Sequence, residues 1–208
     1  MFAALLVTAA AALTVVEFTA LQNFVYGREY VFYGLLAAEI ILVLAIVAGV
    51  NKISAVAANV YFFSFAIING LTMSVIFFFF DVDSIFLAFS VSALMFAAMA
   101  AFGAITHRDL TTVGSYCIMG LFGIIIASIA NFFMRSGLVD FIVSYVGVLV
   151  FIGLTAYDTQ NIKRNLRDAH GMGQLEALRK ISVFGALTLY LNFINLFLKT
   201  LRIIGRRR

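Results

Sequence analysis

The sequence has no proline, one cysteine and two histidines in 208 residues. The cysteine, Cys117, can form no disulfide within the chain, so neither a disulfide framework nor redox chemistry is indicated. His107 and His170 are both expected in loops, which excludes a metal site built from two histidines at helical spacing. Because proline is absent, we expect any break within a helix to depend on glycine or asparagine.

Charge is also scarce, and this scarcity indicates the class of protein. Only 12% of residues are charged, 64% are hydrophobic, and the mean hydropathy is +1.09. The runs Ser84 to Thr106 and Leu110 to Met134 contain no ionised residue, and each exceeds the ~20 residues that span a bilayer as a helix. Strands of a membrane barrel would alternate apolar and polar residues, whereas these runs are continuously apolar. The sequence therefore predicts an all-α integral membrane protein.

Hydropathy predicts seven transmembrane helices with short connections and no linker to a second domain. We therefore expect one transmembrane helical domain over residues 1–208. The third run is long enough to tilt or bend, and the first is interpreted as a retained helix rather than a secretory signal. The predicted spans are Phe2 to Leu21, Val31 to Val50, Ile53 to Phe80, Ser84 to Ile105, Leu110 to Phe133, Leu138 to Tyr157 and Ile181 to Ile204.

The last span has a polar stripe, which we define as Thr188, Asn192, Asn195, Lys199 and Arg202. Their spacing of four, three, four and three places all five side chains on one face of a helix. The other faces are rich in leucine, isoleucine and phenylalanine, so the segment is apolar enough for a bilayer. One face is nevertheless unsuited to lipid, and we expect it to contact protein or water.

Lysine and arginine in short loops predict the orientation, because cytoplasmic loops carry an excess of both. If the chain crosses the membrane seven times, the loops on one side carry most of the basic residues, and we expect this side to be cytoplasmic. These loops hold Lys52, His107, Arg108, Asp109, Lys163, Arg164, Arg167, Arg179 and Lys180. The opposite loops hold Arg28, Glu29, Asp81, Asp83 and Arg135. Seven spans place the tail 206–208 on the side opposite the cytoplasm. The alternative is that the last segment enters the membrane and returns without crossing, and we favour seven full spans. The net charge of +4 lies in juxtamembrane loops and this tail, which favours lipid headgroups over nucleic acid as partners.

Ionisable groups within or near a span are functional candidates by default. Glu17 lies near the end of its helix, where it can simply reach lipid headgroups. Glu39 lies deeper in the second span and needs a partner, a proton or water. Asp158 closes the sixth span, and two interpretations stay open: a salt bridge with Lys163 or Arg164, or a contact with the polar stripe of the last helix.

No catalytic pattern is found among these residues. The serine–histidine and paired-aspartate arrangements of intramembrane proteases, the GxGxxG pattern and the P-loop are all missing from the sequence. We therefore expect neither enzymatic activity nor a cofactor. Secondary transport would call for an internal repeat or for helices broken near the midplane, and the sequence establishes neither.

Two strings resemble a known family. GLTAYDTQNI (Gly153 to Ile162) and GALTLYLNFINLFLKTLRIIG (Gly185 to Gly205) are similar to the Bax inhibitor 1 family, also called the transmembrane BAX inhibitor motif family, in its bacterial branch. The seven-span layout and the glutamate of the second span agree with this resemblance. It implies six helices wrapped around a central C-terminal helix, and it implies a bacterial plasma (inner) membrane location.

The resemblance also implies a pH-modulated calcium leak, in which two facing aspartates share protons and hold or release a gate. Asp158 matches the first aspartate, whereas the second position is Asn192. Paired carboxylates repel when both are ionised, which makes such a pair responsive to mild pH changes. An aspartate facing an asparagine lacks this repulsion, so we expect altered or blunted pH gating.

For such a leak, the predicted ion path or gate consists of Asp158, Asn192, Glu39, Asn195 and Thr188, lining one cavity. Asp158 and Glu39 supply at most two carboxylates, so any calcium site is expected to be weak, and protons or monovalent cations are alternatives. A different class of function stays open from the same resemblance: a regulatory protein without channel activity that binds a membrane-anchored AAA protease or other stress-response partners. Its informative surfaces would be the loop Lys163 to Lys180 and the basic tail.

Overall fold

A computed structural model describes residues 1–49, 53–171 and 175–206. Within these ranges the chain forms helices throughout, which confirms the predicted all-α class. Lys52, Arg207 and Arg208, which contribute to the predicted charge bias, lie outside the described residues. The helices are α1 Phe2–Glu17, α2 Thr19–Tyr26, α3 Glu29–Gly49, α4 Ala55–Met73, α5 Ile76–Phe79, α6 Val82–Ile105, α7 Thr111–Met134, α8 Gly137–Gly171 and α9 Leu175–Ile204.

The helices in the described part of the chain provide six candidate membrane spans, or seven if α1 and α2 together count as one. The continuous first helix predicted over Phe2 to Leu21 is wrong, because α1 ends at Glu17 and the chain bends by 102° before α2. Phe18, at the bend, has an extended backbone, and its N–H still bonds to the Thr14 carbonyl. Gln22 donates a side-chain hydrogen bond to the Val16 carbonyl at 2.8 Å. The expectation that a break depends on glycine or asparagine is therefore wrong here, because local hydrogen bonds around Phe18 satisfy the end of α1.

The third run, which we expect to tilt or bend, is interrupted between α4 and α5, and the tilt or bend itself stays a prediction. Ser54 begins α4 by accepting a hydrogen bond from the Ala57 N–H at 3.2 Å, as serine often does at a helix N-terminus. After Met73 the helix is interrupted at Ser74, whose hydroxyl donates to the Leu71 carbonyl at 2.7 Å. A hydroxyl bonded to the backbone in this way competes with regular helical hydrogen bonds.

Two helices extend beyond their predicted spans. Helix α8 continues to Gly171 instead of ending near Tyr157, so His170 lies in its last turn and the loop expected there is wrong. The added segment is polar but contains good helix formers and ends at a glycine, which is common at helix ends. Helix α9 begins at Leu175 and continues unbroken to Ile204. Its 30 residues are about 45 Å long, which disagrees with a segment that enters and returns.

The chain divides into two compact units. The first consists of Met1–Phe79 and Asp168–Tyr190, and the second of Phe80–Arg167 and Leu191–Arg208. The single domain expected over residues 1–208 stays a prediction. Each unit contains part of α9, and half of the span window of this helix is buried, the largest share among the candidate spans of the described chain. This burial agrees with the central position that the resemblance implies for the last helix.

Aromatic residues of α9 form part of the core in each unit. In the first unit, the ring of Tyr190 meets the rings of Phe62 and Phe65 edge-on at 5.5 and 5.8 Å. In the second unit, Phe193 meets Phe89 and Phe96 in the same way, at 5.4 and 5.6 Å. Such edge-to-face contacts add to the stabilisation from burial and fix the rotation of α9 within each unit.

The connection between α6 and α7 holds a local charge pair in the second unit. The hydroxyl and backbone N–H of Thr111 donate to Asp109 at 2.6 and 3.0 Å, and Arg164 contacts the same carboxylate at 3.3 Å. The hydrogen bonds from Thr111, with a smaller contribution from Arg164, hold the pKa of Asp109 below its usual value. Arg164 therefore has an ionised partner in this loop.

Candidate functional site

Glu39 lies within the apolar helix α3, and neutral polar groups surround its carboxylate. The side chain is half-buried. Its Oε1 accepts a hydrogen bond from the Thr72 hydroxyl at 2.6 Å, and its Oε2 accepts from the Asn69 amide at 3.4 Å. Asn69 and Thr72 are three residues apart on α4, so both point from one face of that helix towards Glu39. The partners of Glu39 are therefore two neutral hydrogen-bond donors, Thr72 and Asn69.

This cluster continues through Asn69 to the last helix of the first unit. The hydroxyl of Tyr190, which is fully buried, donates to Asn69 Oδ1 at 3.0 Å and lies 2.7 Å from the Thr8 hydroxyl. Thr8 in turn lies 3.0 Å from the Ala66 carbonyl. Sequence reasoning missed Asn69, Tyr190 and Thr8, although the polar pair on one face of α4 was a usable signal.

The positions of the protons in this cluster depend on Glu39. When Glu39 is ionised, Thr72 donates to it. When Glu39 is protonated, its O–H can donate to Thr72 Oγ1, and Thr72 can donate to the Asn69 carbonyl at 3.1 Å. Both arrangements use the same heavy-atom positions, so the cluster accommodates a proton without a change of backbone.

In the second unit, Asp158 meets the polar stripe as one of the two interpretations predicts. The Asn192 amide donates to Asp158 Oδ2 at 2.6 Å. The alternative salt bridge is not formed, because Lys163 donates to the Ala104 carbonyl and Arg164 pairs with Asp109. Asn192 is 6% exposed, so its amide is taken from water and needs this partner.

Further along the stripe, the side chains of Lys199 and Arg202 also face α8. The aliphatic part of Lys199 packs on Gly147, and Arg202 pairs with Asp140 at 2.8 Å. Asn195 bonds to the Leu191 carbonyl of its own helix at 2.8 Å. The last member, Thr188, is half-buried in the first unit. Helix α8 is thus the main partner of the stripe within the second unit.

The structure therefore joins Asp158 to Asn192 and places Glu39 in a different cluster, in the first unit. A common cavity for the predicted ion path stays a prediction. Across residues 1–49, 53–171 and 175–206, no group of three or more histidine, cysteine or acidic residues is arranged to hold a metal ion. A cavity of about 590 Å³ opens elsewhere in the first unit, and neither Glu39 nor Thr188 lines it.

Comparison with known proteins gives matches along nearly the whole chain. The family described as "Inhibitor of apoptosis-promoting Bax1" matches residues 1–208. Inner membrane protein YbhL of Escherichia coli is 42% identical over 204 residues, which cover 98% of this chain and 87% of that protein. An uncharacterised protein of Borreliella burgdorferi is 40% identical with the same two coverages, 98% and 87%. One from Rickettsia prowazekii is 36% identical over 205 residues, which cover 99% and 85% of the two chains.

These matches agree with the helical architecture. In the described part of the chain, six or seven apolar helices are long enough to cross a bilayer, and an inner membrane protein is a similar relative. This chain is therefore a multi-pass protein of the inner membrane. The two strings around Asp158 and Asn192 lie within the matched region. The chain belongs to the Bax inhibitor 1 family.

Proposed function

We propose that the protein is a calcium-permeable cation leak with no enzymatic activity, whose pH gating is altered because Asn192 stands opposite Asp158. The observation that supports this proposal is the 2.6 Å hydrogen bond between the Asn192 amide and the Asp158 carboxylate. It places the two positions in direct contact, as a gate built from them requires. One of the two is an amide, which stays neutral at every physiological pH.

The chemistry of this pair differs from that of two facing acids. Two carboxylates at hydrogen-bond distance share a proton because both cannot be ionised at low cost. An amide donates to the ionised carboxylate instead and supplies no second proton-binding group. The pair in this protein therefore binds one proton at most, and we expect its leak to respond weakly to pH. Calcium itself would bind weakly, since each unit offers one such carboxylate, Asp158 or Glu39, within its polar cluster.

Calcium flux into proteoliposomes, measured at acidic and neutral pH, tests this function. We expect Asn192→Asp to create an acid pair and to increase the ratio of the fluxes at the two pH values. Asn23→Asp is the matched control, because Asn23 is an exposed asparagine outside the predicted ion path. Asp158→Asn should remove the remaining pH response at this site.

An unchanged pH response in Asn192→Asp would contradict the role of this pair in gating. Absence of flux in all variants, together with co-purification of a membrane-anchored protease, would instead favour the regulatory function. The two outcomes separate a channel with altered gating from an interaction protein.

A further inference from the structure

A cleft of about 590 Å³ in the first unit lies beside the beginnings of α4 and α9. Glu176 Oε1 accepts a hydrogen bond from the Ala55 N–H at 3.3 Å, which joins the first turns of the two helices. Farther along, Phe62 of α4 meets Tyr190 of α9. Both helices therefore run in the same direction from the mouth of the cleft, and their residue numbers measure depth.

The charged side chains of the lining lie at its mouth, beside the apolar residues Ala55, Val56 and Leu178, and the deepest part of the lining is apolar. Ser54, Glu176 and Arg179 lie at the mouth, and Asn59 and Ser182 lie about one turn deeper. The floor is formed by Phe62, Phe63, Val183 and Ala186. A groove between two membrane helices with charged side chains at its mouth and an apolar floor matches a molecule with a polar head and a hydrocarbon chain.

Among the side chains that line the mouth, Glu176 and Arg179 carry one charge of each sign, and Met1 also lines the cleft. Glu176 and Arg179 are three residues apart on α9, so they lie on one face about one turn apart. Both are exposed, and among the described residues Arg179 makes neither a hydrogen bond nor an ion pair. The two charges are thus held near each other without pairing in this structure, and each is open to a ligand of opposite charge.

We propose that this cleft binds one glycerophospholipid whose headgroup carries both a phosphate and a primary ammonium. The phosphate pairs with Arg179, the ammonium donates to Glu176, and one acyl chain lies against Phe62 and Val183. A headgroup with a two-carbon spacing between its charges suits partners one helical turn apart. Arginine binds phosphate through charge-assisted hydrogen bonds, and a primary ammonium has N–H donors that a quaternary one lacks. This site is independent of ion flux and of the Asp158–Asn192 pair.

Native mass spectrometry of delipidated protein tests the site. The probes are phosphatidylethanolamine, phosphatidylglycerol and phosphatidylcholine with identical acyl chains. We expect one phosphatidylethanolamine to bind more tightly than the other two lipids. Arg179→Gln should weaken the binding of all three lipids by about tenfold, because the phosphate of each lipid loses its partner. Glu176→Gln should remove the preference for phosphatidylethanolamine while keeping an oxygen that accepts from Ala55.

Lys180→Gln is the matched control, because Lys180 is the next basic residue on α9 but does not line the cleft. Its binding should equal that of the wild type. Ala186→Phe should fill the floor and weaken the binding of all three lipids. If this variant fails to fold, Arg179→Gln and Glu176→Gln still test the proposal, because both residues are exposed. Equal losses in Arg179→Gln and Lys180→Gln, a preference for phosphatidylglycerol, or no saturable binding of a single lipid would each overturn the proposal.

Discussion

Arg135 has an unusual backbone conformation for its residue type. It follows the last residue of α7 with φ 50° and ψ 37°, and it is the non-glycine residue with positive φ in the described chain. Its N–H bonds to the Asn131 carbonyl, and the next N–H, that of Ser136, bonds to Asn131 Oδ1 at 2.9 Å. This left-handed position closes the helix, where glycine is the usual residue because it has no Cβ.

Replacement of Arg135 by glycine should therefore stabilise the protein. We expect Arg135→Gly to raise the free energy of unfolding by about 1 kcal/mol, the order of the cost of a side chain in this conformation. The measurement is thermal unfolding in detergent. Arg135→Ala removes the same guanidinium but keeps the Cβ, so it should show no gain. Equal effects of the two variants would assign the change to the lost charge instead.

Residue identity predicted the candidate groups of each cluster but not all of their partners. The need of Glu39 for a partner follows from its apolar surroundings in the sequence. Its partners Asn69 and Thr72 are 30 and 33 residues away, and Tyr190 is 121 residues from Asn69. Such pairings depend on the packing of helices, which a local pattern does not specify.

At the scale of helices, α7 and α8 approach closely at Gly153. A Cβ at this position would lie 2.4 Å from the sulfur of Cys117, but 3.9 Å from the Cys117 Cβ. The sulfur alone therefore limits the size of residue 153. This contact gives the only cysteine of the sequence a packing role within the second unit.

Gly153→Ala should destabilise the protein by about 1–3 kcal/mol, the usual range for overpacking. Cys117→Ala in the same chain should restore most of this loss, since the remaining atom is at ordinary contact distance. Thermal unfolding of both single variants and the double variant gives the coupling energy. Gly123→Ala on α7 is the control, because a Cβ there would meet nothing within 4 Å. If the changes in unfolding free energy of the two single variants simply add in the double variant, the strain does not arise at the sulfur of Cys117.

The periodicity of polar residues in the last helix predicted which face packs against protein, whereas hydropathy predicted only that the segment is a span. The stripe spacing identified the face that contacts protein, and α8 receives Asn192, Lys199 and Arg202 from this face. Helix boundaries were less predictable, because hydropathy detects the apolar part of a helix and not its hydrogen bonds. Helices α8 and α9 continue into polar sequence for this reason.

For the whole molecule, the charge bias predicts which loops face the cytoplasm. The connection with His107 should be cytoplasmic, and the connection between α7 and α8, which Gly137 follows as the first residue of α8, should face the opposite side. Both positions are exposed. A Cys117→Ala background has no cysteine, so single cysteines can report each side.

We expect Gly137→Cys to react with a membrane-impermeant thiol reagent in intact cells. His107→Cys should react only after the membrane is permeabilised. A Cβ at Gly137 meets nothing within 4 Å, so the first substitution should not disturb the fold. The reverse pattern of labelling would contradict the predicted orientation.

The sequence by itself determined the class of this protein, because uncharged runs longer than a bilayer require membrane helices. It also determined the polar face of α9, since the side chains of one helix follow a fixed period. The tertiary structure decided the break at Phe18, the partner of Asp158 and the cluster around Glu39. Local hydrogen bonds satisfy the break at Phe18, and hydropathy does not detect them. The other two features depend on which helices pack together, because side chains far apart in the chain supply their hydrogen bonds.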